Sequence, residues 1–309
     1  MSEVKTSSLV NPSVTVAIPT FNAGRTIEEC LASITAQTFP ADKTEIIVCD
    51  NGSTDDTLQI IGERFPMVKV VIAPQRGSGY ARNTAIQASI GRYICSIDAD
   101  CTAHPYWIEE IVTAFNCNPA SVACLGGQIL PYSERTFVER YRQAWIRQET
   151  LREGKSRWTY AETPNAAFQR WAFERVGYFD GTQGMDDTDM GLRLTAAGLT
   201  ILYVPAAIVY HRNPATIKQL YHHRRKYGLF TIRLARKYPR EFGFMSGRTS
   251  ERQLLRETYR RVLGDLVFKL PLAAIGGESE QGTRLWPLLD AVVAMGNYVG
   301  ASKALKESR

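Results

Sequence analysis

Short apolar runs alternate with segments of helical periodicity along the first hundred residues. Runs rich in β-branched residues predict four strands, at residues 14–18, 45–49, 68–72 and 93–97. Between the first two strands, apolar residues at helical spacing predict a helix over 26–37, and Thr26 with Glu29 predicts a capping box at its start. Strands that alternate with helices at this spacing indicate βαβ units. The pattern therefore predicts an α/β fold with a Rossmann-like, mainly parallel sheet flanked by helices.

The last third of the chain has a different pattern. Residues 216–238 predict a basic amphipathic helix, and residues 262–275 and 285–301 are apolar runs interrupted by charged, polar or proline residues. None of them reaches the ~18 uninterrupted apolar residues of a membrane-spanning helix. We therefore expect a helical, basic C-terminal region whose apolar segments pack or lie at an interface.

Charge is distributed unevenly along the 309 residues. The net charge is +6, but residues 212–261 contain 14 Lys and Arg against three Glu, so this segment carries +11 and the rest of the chain −5. A basic segment fits nucleic acid, anionic lipid or phosphorylated substrates, but this one lacks any recognisable nucleic-acid-binding motif. Six cysteines without a Cys-x-x-Cys pair favour a reducing compartment, and the polar first twelve residues predict no secretory signal.

Polar side chains follow the predicted strands at the ends where parallel sheets bind ligands. These segments are residues 20–22, 50–55, 76–83 and 98–100, after the first to fourth strands. Some of them contain Arg or paired acids, which a turn does not need. Asp98 and Asp100 stand one residue apart, and carboxylates commonly hold Mg²⁺ or Mn²⁺ together with substrate phosphates. The segments predict one shared site, and four ordinary surface loops are the alternative.

Two candidates in the second half have simple structural explanations. Asp186 and Asp187 precede apolar residues at helical spacing, so helix capping and the helix dipole explain them without any chemistry. His211 ends a predicted strand, and a lone histidine there is by default an ordinary surface or core residue. The sequence pattern alone leaves both alternatives open.

The strand-end segments together resemble glycosyltransferase family 2, whose members are inverting nucleotide-sugar enzymes of GT-A fold. The matching segments are Ile18–Asn22, Asp50–Asp55, Arg76–Asn83 and Asp98–Asp100, and Pro164–Arg170 and Val176–Asp180 continue the resemblance. Their order and spacing carry it, because each segment alone is common. No Gly-x-x-x-x-Gly-Lys loop is present, and the glycine pattern of dinucleotide-binding folds fails after Gly79.

The resemblance implies a donor site built from the strand ends. Its residues would be Pro19, Thr20, Asn22, Asp50, Arg76, Arg82, Asp98, Ala99 and Asp100. Asp50 would accept the imide N–H of a uracil, because an ionised carboxylate only accepts hydrogen bonds. Arg76 or Arg82 would stack on the base or reach the diphosphate.

The resemblance also implies a set of metal ligands. Asp100 would bind Mn²⁺ or Mg²⁺ directly, with Asp98 near the ribose and the metal. His211 would complete the set, and an imidazole ligand suits Mn²⁺ better than Mg²⁺.

The acceptor side follows from the same family pattern. The family has Glu-Asp where this chain has Asp186-Asp187, which makes Asp187 the general base and leaves the role of the shorter Asp186 open. Asn165, Asp186 and Arg193 would lie on the acceptor side. Inverting transfer needs one base, and no leaving-group acid is required because the metal neutralises the departing diphosphate.

These features predict an inverting, metal-dependent hexosyl- or N-acetylhexosaminyltransferase with a UDP-linked donor. The basic and apolar C-terminal region indicates a glycan or lipid-linked acceptor, in surface polysaccharide or glycoconjugate synthesis. One alternative is a polyprenyl-phosphate glycosyl synthase, and another is a catalytically silent nucleotide-sugar-binding subunit, against which the intact Asp187 argues.

Three parts are predicted: residues 1–130 bind the nucleotide sugar, residues 131–215 hold the acceptor and the base, and residues 216–309 form the C-terminal region. Beyond the donor and the acceptor, we expect no nucleic-acid partner. We expect a cytoplasmic location and leave open a peripheral contact with an anionic membrane on its cytoplasmic face.

Overall fold

The computed structural model describes residues 13–118, 120–146, 151, 159–181, 184–241, 260 and 286–306. The chain divides into two compact units. The first contains the described residues of 1–130, 148–181 and 190–211, and the second those of 131–147, 182–189 and 212–309. The predicted division into three functional parts stays a prediction.

The first unit is built on one mixed sheet of eight strands. They are β1 (Val14–Thr20), β2 (Thr44–Asp50), β3 (Lys69–Ile72), β4 (Tyr93–Ser96), β5 (Cys101–Ala103), β6 (Val122–Pro131), β7 (Ala166–Gln169) and β8 (Thr200–His211). Their order across the sheet is β3-β2-β1-β4-β7-β6-β8-β5. The pairs β2/β3, β1/β2 and β1/β4 are parallel, as predicted, whereas β4/β7, β6/β7 and β5/β8 are antiparallel.

Helices cover both faces of this sheet. They are α1 (Ile27–Thr35), α2 (Thr57–Arg64), α3 (Ser78–Gln87), α4 (Trp107–Cys117), α6 (Arg170–Val176) and α7 (Asp186–Ala196). Helix α5 (Phe137–Gln143) belongs to the second unit. Because side chains alternate along a strand, Val16 and Ile18 of β1 pack with α1, α2 and α4, while Ala17 packs with α3, α6 and α7 on the other face. The predicted α/β fold, a sheet flanked by helices, is confirmed.

The start of α1 differs from the prediction. Thr26 is the N-cap residue, but its side chain makes no capping bond to the helix. Its hydroxyl instead donates to the carbonyl of Ala23, at 3.3 Å. The expected capping box with Glu29 is therefore wrong, because a hydroxyl that donates backward into the preceding turn has turned away from the helix amides.

The second unit is helical. Its long helices are α8 (Ile217–Lys237), which confirms the predicted basic helix, and α9 (Trp286–Lys306). A capping box of Thr216 and Gln219 starts α8. The core contains Val138 and Tyr141 of α5, Leu220 of α8, and Leu289 and Val293 of α9. The predicted apolar segment 262–275 lies outside the described residues.

The two long helices touch through glycines. A Cβ atom on Gly228 of α8 would come within 2.1 Å of the Asn297 carbonyl oxygen. One on Gly300 of α9 would come within 1.9 Å of the Arg225 carbonyl oxygen. No side chain fits at either position, so the two backbones are in direct contact. Among the described helices, none is long and apolar enough to cross a membrane.

Candidate active site

The end of β2 carries a buried carboxylate in a tight loop. Asp50 is 2% exposed, and it accepts hydrogen bonds from the backbone N–H groups of Gly52 (3.0 Å) and Ser53 (3.1 Å). Register places Asp50 beside Thr20, the last residue of β1, because these two strands pair in parallel. Asn22 adopts the left-handed conformation, φ 49°, and accepts from the Thr54 N–H at 2.8 Å. The ends of β1 and β2 thus form one hydrogen-bonded rim.

A second loop, after β3, is tied to this rim. Asn51 donates to the carbonyl of Gln75 and accepts from the N–H of Gly77, both at 2.7 Å. The guanidinium of Arg76 lies over the ring of Phe21, 4.7 Å from its centroid, and Phe21 is 47% exposed. The predicted donor residue Arg76 therefore stands next to an exposed aromatic ring that the sequence analysis did not single out.

Arg82 lies in the interior rather than on the surface. Its side chain comes from α3, is 5% exposed, and contacts Asp98 Oδ1 through NH2 at 2.6 Å. Its Nε donates to the hydroxyl of Ser96 at 3.3 Å. This pair fixes the carboxylate of Asp98, which is 28% exposed, at the end of β4. Arg82 thus has a structural partner, and a contact with the donor stays a prediction.

Asp100 and His211 come together through strand pairing. The antiparallel register of β5 and β8 sets Cys101 opposite His211, so the preceding residue, Asp100, reaches the imidazole. His211 Nε2 lies 3.9 Å from Asp100 Oδ1, and the Cys101 thiol lies 3.6 Å from the same carboxylate oxygen. Within the described chain, one ligand atom from each of these three residues falls within 4.8 Å of the others. The candidate metal site thus joins residues that are 111 positions apart in the sequence.

The donor set fits a hard divalent ion. Two ligands at about 2.1 Å from one ion lie about 3 to 4 Å apart, which matches the carboxylate and imidazole. Burial raises the pKa of Asp100, the proximity of Asp98 adds to the rise, and His211 opposes it. Burial and the neighbouring carboxylates also raise the pKa of the Cys101 thiol well above its usual value. A protonated thiol is a poor ligand for Mg²⁺ or Mn²⁺, so Asp100 and His211 are the better pair.

Two predicted acceptor-side residues have structural bonds in the first unit. Asn165 is 1% exposed, accepts from the indole N–H of Trp107 and donates to the carbonyls of Gln128 and Ala207, all at 2.8 Å. Arg193 donates to three successive carbonyls, those of residues 176–178, at 2.6 to 3.0 Å. These bonds hold the loop after α6 and the interior around Trp107. A contact of either residue with the acceptor stays a prediction.

The acidic start of α7 belongs to the second unit. Asp187 is half-buried and accepts from the N–H of Thr188 at 2.7 Å, whereas Asp186 is buried. The backbone N–H of Asp189 donates to the Met185 carbonyl, in the first turn of the helix. The Asp189 side chain is fully buried and contacts Lys237 Nζ at 2.6 Å and the Tyr238 hydroxyl at 2.7 Å. The end of α8 therefore holds the first turn of α7, two residues from the predicted base.

Sequence comparison assigns the family. The sequence model of Glycosyl transferase family 2 matches residues 15–177, more than half of the 309-residue chain. The chain belongs to glycosyltransferase family 2. Glycosyltransferase AglE of Haloferax volcanii is 32% identical over 207 residues, which cover 65% of this chain and 67% of that protein. Probable glycosyltransferase YdaM of Bacillus subtilis is 27% identical over 223 residues, which cover 67% of this chain and 52% of that relative.

Solved structures support the fold of this glycosyltransferase. The mannosyltransferase PcManGT of Pyrobaculum calidifontis, solved with GDP-Man and Mn²⁺, aligns with a TM-score of 0.66 at 22% identity, over 97% of this chain and 88% of that one. Residues 1–349 of S. aureus TarS, solved with UDP-GlcNAc, align with a TM-score of 0.54 at 16% identity, over 96% of this chain and 92% of that one. Both neighbours bind nucleotide sugars.

Three features of the site were not predicted from the sequence. They are the ring of Phe21 under Arg76, the bridging amide of Asn51, and the thiol of Cys101 beside Asp100. Phe21 and Asn51 lie inside segments that were predicted to form the site, so their position was a usable signal. Cys101 had no such signal, since it reads as an ordinary core residue of a short strand.

Proposed function

We propose that this glycosyltransferase moves a hexosyl or N-acetylhexosaminyl group from a UDP-linked donor to a hydroxyl group, with inversion and with a divalent metal. The observation that supports this most is the set of polar side chains at one edge of the sheet in the first unit. Asp50 and His211 are the last residues of β2 and β8, Asp98 and Asp100 lie between β4 and β5, and Arg82 of α3 holds Asp98. Such an edge is where open α/β sheets bind ligands.

The donor's parts match these groups. The Asp50 carboxylate has lone pairs beyond those its own loop uses, and one of them would accept the imide N–H of uracil. Arg76 and Phe21 offer a stacked guanidinium and an exposed ring beside it. A flat nucleobase can stack on either group, because both present a planar face.

Asp100 and His211 would hold the metal, Mn²⁺ in preference to Mg²⁺, since one donor is an imidazole nitrogen. When bound, the ion would neutralise charge on the departing diphosphate. The neighbouring Asp98 carboxylate is already oriented by Arg82, which leaves one face of it for the ribose or the ion. The site then needs no protein acid for the leaving group.

Asp187 would act as the base. In its half-buried position it would accept the proton of the acceptor hydroxyl as the new glycosidic bond forms. Its side chain accepts a hydrogen bond from the Thr188 N–H, which orients the carboxylate, and the buried Asp189 fastens the turn that carries it. Asp186 is buried on the same turn, so changing it provides a comparison for the effect of changing Asp187.

The test uses the full chain, with water as surrogate acceptor. Release of UDP from UDP-GlcNAc and UDP-glucose, and of GDP from GDP-mannose, is followed with Mn²⁺ and with a chelator. We expect turnover of a UDP-linked donor that the chelator abolishes. Asp187→Asn should lower turnover by ~10²–10⁴-fold while UDP affinity measured by calorimetry stays the same.

Asp186→Asn is the matched control and should cost less than Asp187→Asn. A melting curve of each variant checks that it folds. A folded Asp187→Asn protein with wild-type turnover would return these acids to a purely capping role. Turnover of GDP-mannose alone would refute the uracil contact of Asp50.

A further inference from the structure

A single amide spans the residue that would stack on the nucleobase. The side-chain Nδ2 of Asn51 donates to the carbonyl of Gln75, the residue before Arg76, at 2.7 Å. Its Oδ1 accepts from the backbone N–H of Gly77, the residue after Arg76, also at 2.7 Å. A carbonyl on one side and an N–H on the other require this orientation of the amide. Asn51 therefore fixes the backbone on both sides of Arg76.

Asn51 also joins this loop to the ends of β1 and β2. Its backbone N–H donates to the carbonyl of Thr20, the last residue of β1, at 2.8 Å. Asp50, directly before it in the chain, carries the carboxylate that would accept the uracil imide. Asn51 is 9% exposed, so water does not compete freely for its bonds. One buried residue thus connects that carboxylate to the loop that carries Arg76.

The loop has weak restraints of its own. Gly77 has φ 140°, and because glycine samples many other conformations as well, local sterics do not fix the turn after Arg76. Arg76 is exposed, and its NH2 lies 3.5 Å from the Gly52 carbonyl, at the limit of a hydrogen bond. Its guanidinium lies over the exposed ring of Phe21, and a cation–π contact at such a site is weak. The two short bonds of Asn51 therefore restrain the position of Arg76 more strongly.

We propose that Asn51 is a positioning residue for the donor nucleobase, because its amide holds the Arg76 guanidinium where the base would stack beside Asp50. Asn51 acts through the loop and does not itself contact the donor. This role rests on the proposed function, and it deepens that function by naming the residue that sets the affinity for the nucleoside half of the donor.

A positioning role has a kinetic signature that a structural role lacks. The base of a nucleotide sugar is remote from the glycosidic bond that breaks, so its contacts with the protein are the same in the ground state and the transition state. Loosening them should raise the donor KM and the Kd of UDP and leave kcat unchanged. A variant that merely folds less well has fewer active molecules, so it lowers the apparent kcat and leaves KM unchanged.

The readouts are calorimetry of UDP with Mn²⁺ and donor turnover with water as acceptor, both on the full chain. Asn51→Ala should raise the UDP Kd and the donor KM by about tenfold, with kcat within about twofold of wild type. Asn51→Asp keeps the acceptor for the Gly77 N–H and loses the donor to Gln75, so the rise should be smaller, about threefold. Asn118→Ala, which removes a 2.7 Å amide bond to the Ala114 carbonyl in the same unit, should change neither quantity.

A double variant tests whether the effect passes through Arg76. In an Arg76→Ala background the side chain that Asn51 positions is absent, so adding Asn51→Ala should change the UDP Kd by less than about twofold. A full rise of about tenfold in that background would mean that Asn51 acts elsewhere, and would overturn the proposal. An Asn51→Ala protein with wild-type Kd and KM would overturn it too, as would one in which kcat alone falls together with the melting temperature.

These outcomes can be told apart from failure of the proposed function. An unchanged UDP Kd in Asn51→Ala, with turnover lost in Asp187→Asn, refutes the role of Asn51 alone. A UDP Kd that depends on Asn51, in a chain that turns over no donor, refutes the proposed function alone. If GDP binds instead of UDP, the same variants are measured with GDP, and the same rise supports the role, because a planar guanidinium stacks on either base.

Discussion

The described residues of each unit include an ion pair with one buried partner, and this partner has the opposite charge in the two units. In the first unit the cation is buried, since Arg82 is 5% exposed and its partner Asp98 is 28% exposed. In the second unit the anion is buried, since Asp189 is fully buried and Lys237 is 34% exposed. The partner that still reaches solvent is thus a carboxylate in the first unit and an ammonium in the second.

In the first unit this difference matches the proposed donor site. A partly exposed, oriented carboxylate is useful where a metal or a ribose must be held, and exposed cations are useful where a phosphate must be met. It also predicts which truncation is costly, because removing the exposed partner leaves the other charge buried without its counterion. The predictions below use that asymmetry.

The largest effect is expected at the metal ligands of the first unit. Asp100→Ala removes a ligand and should lower donor turnover by about 10³-fold, equivalent to about 4 kcal/mol of transition-state stabilisation. Mn²⁺ affinity, measured by calorimetry without donor, should fall as well. Asp42→Ala, which removes an exposed acid of the same unit, should change neither quantity. Turnover of Asp100→Ala near wild type and insensitive to a chelator would rule out this metal site.

The next effect tests the ion pair of the second unit. Lys237→Met leaves the Asp189 carboxylate buried with the Tyr238 hydroxyl still donating to it, and should lower the free energy of unfolding by about 3 kcal/mol. Asp189→Leu leaves Lys237 able to turn to water, and should cost only about 1 kcal/mol. Hydrogen exchange of peptides from 217–237, read by mass spectrometry, measures both.

The first unit should show the reverse order. Asp98→Ala leaves the buried Arg82 with the Ser96 hydroxyl as its partner among the described residues, and should cost more than Arg82→Met, after which Asp98 can be hydrated. Hydrogen exchange of peptides from α3, read by mass spectrometry, measures the loss of stability in both variants. If the costlier variant proves to be the cation in both units or the anion in both, exposure does not determine the penalty and the comparison fails.

The smallest effect concerns glycines inside helices. Gly300→Ala in α9 forces a methyl group against the Arg225 carbonyl and should cost about 2 kcal/mol through overpacking. Gly62→Ala in α2 meets nothing within 4 Å, and should stabilise by about 0.5–1 kcal/mol because alanine favours the helix. Opposite signs of the two changes in unfolding free energy are the expected result. Similar signs would contradict the close contact of α8 and α9.

Much of the first unit could be predicted because its signals are local. The strands before Asp50 and Asp98 are β-branched runs, and parallel pairing then brings their ends to one edge. Helix α7 was predicted from the apolar residues at helical spacing after Asp187, which include Met190 and Leu194. Local pattern suffices for these strands because parallel pairing brings their carboxyl ends to the same edge, whichever strands are neighbours.

What could not be predicted depends on long-range register. The antiparallel strand β7 inserts beside β4, and β8 pairs with β5 across more than a hundred residues, so the partner of Asp100 follows from the sheet rather than from the motif. The prediction of a capping box at the start of α1 was wrong for a related reason. The motif at Thr26 matched but formed no box, whereas boxes formed at Thr136 and Thr216, because the direction of a hydroxyl depends on the preceding turn.

The glycine contact between α8 and α9 also affects how the second unit folds. The contact joins two helices whose sequence positions are separated by the 48 residues of 238–285, so it is a long-range contact along the chain. Backbone contacts at Gly228 and Gly300 form only when both helices are in place. Neither helix can therefore acquire its final packing alone, and assembly of the pair should be a late, cooperative step in folding.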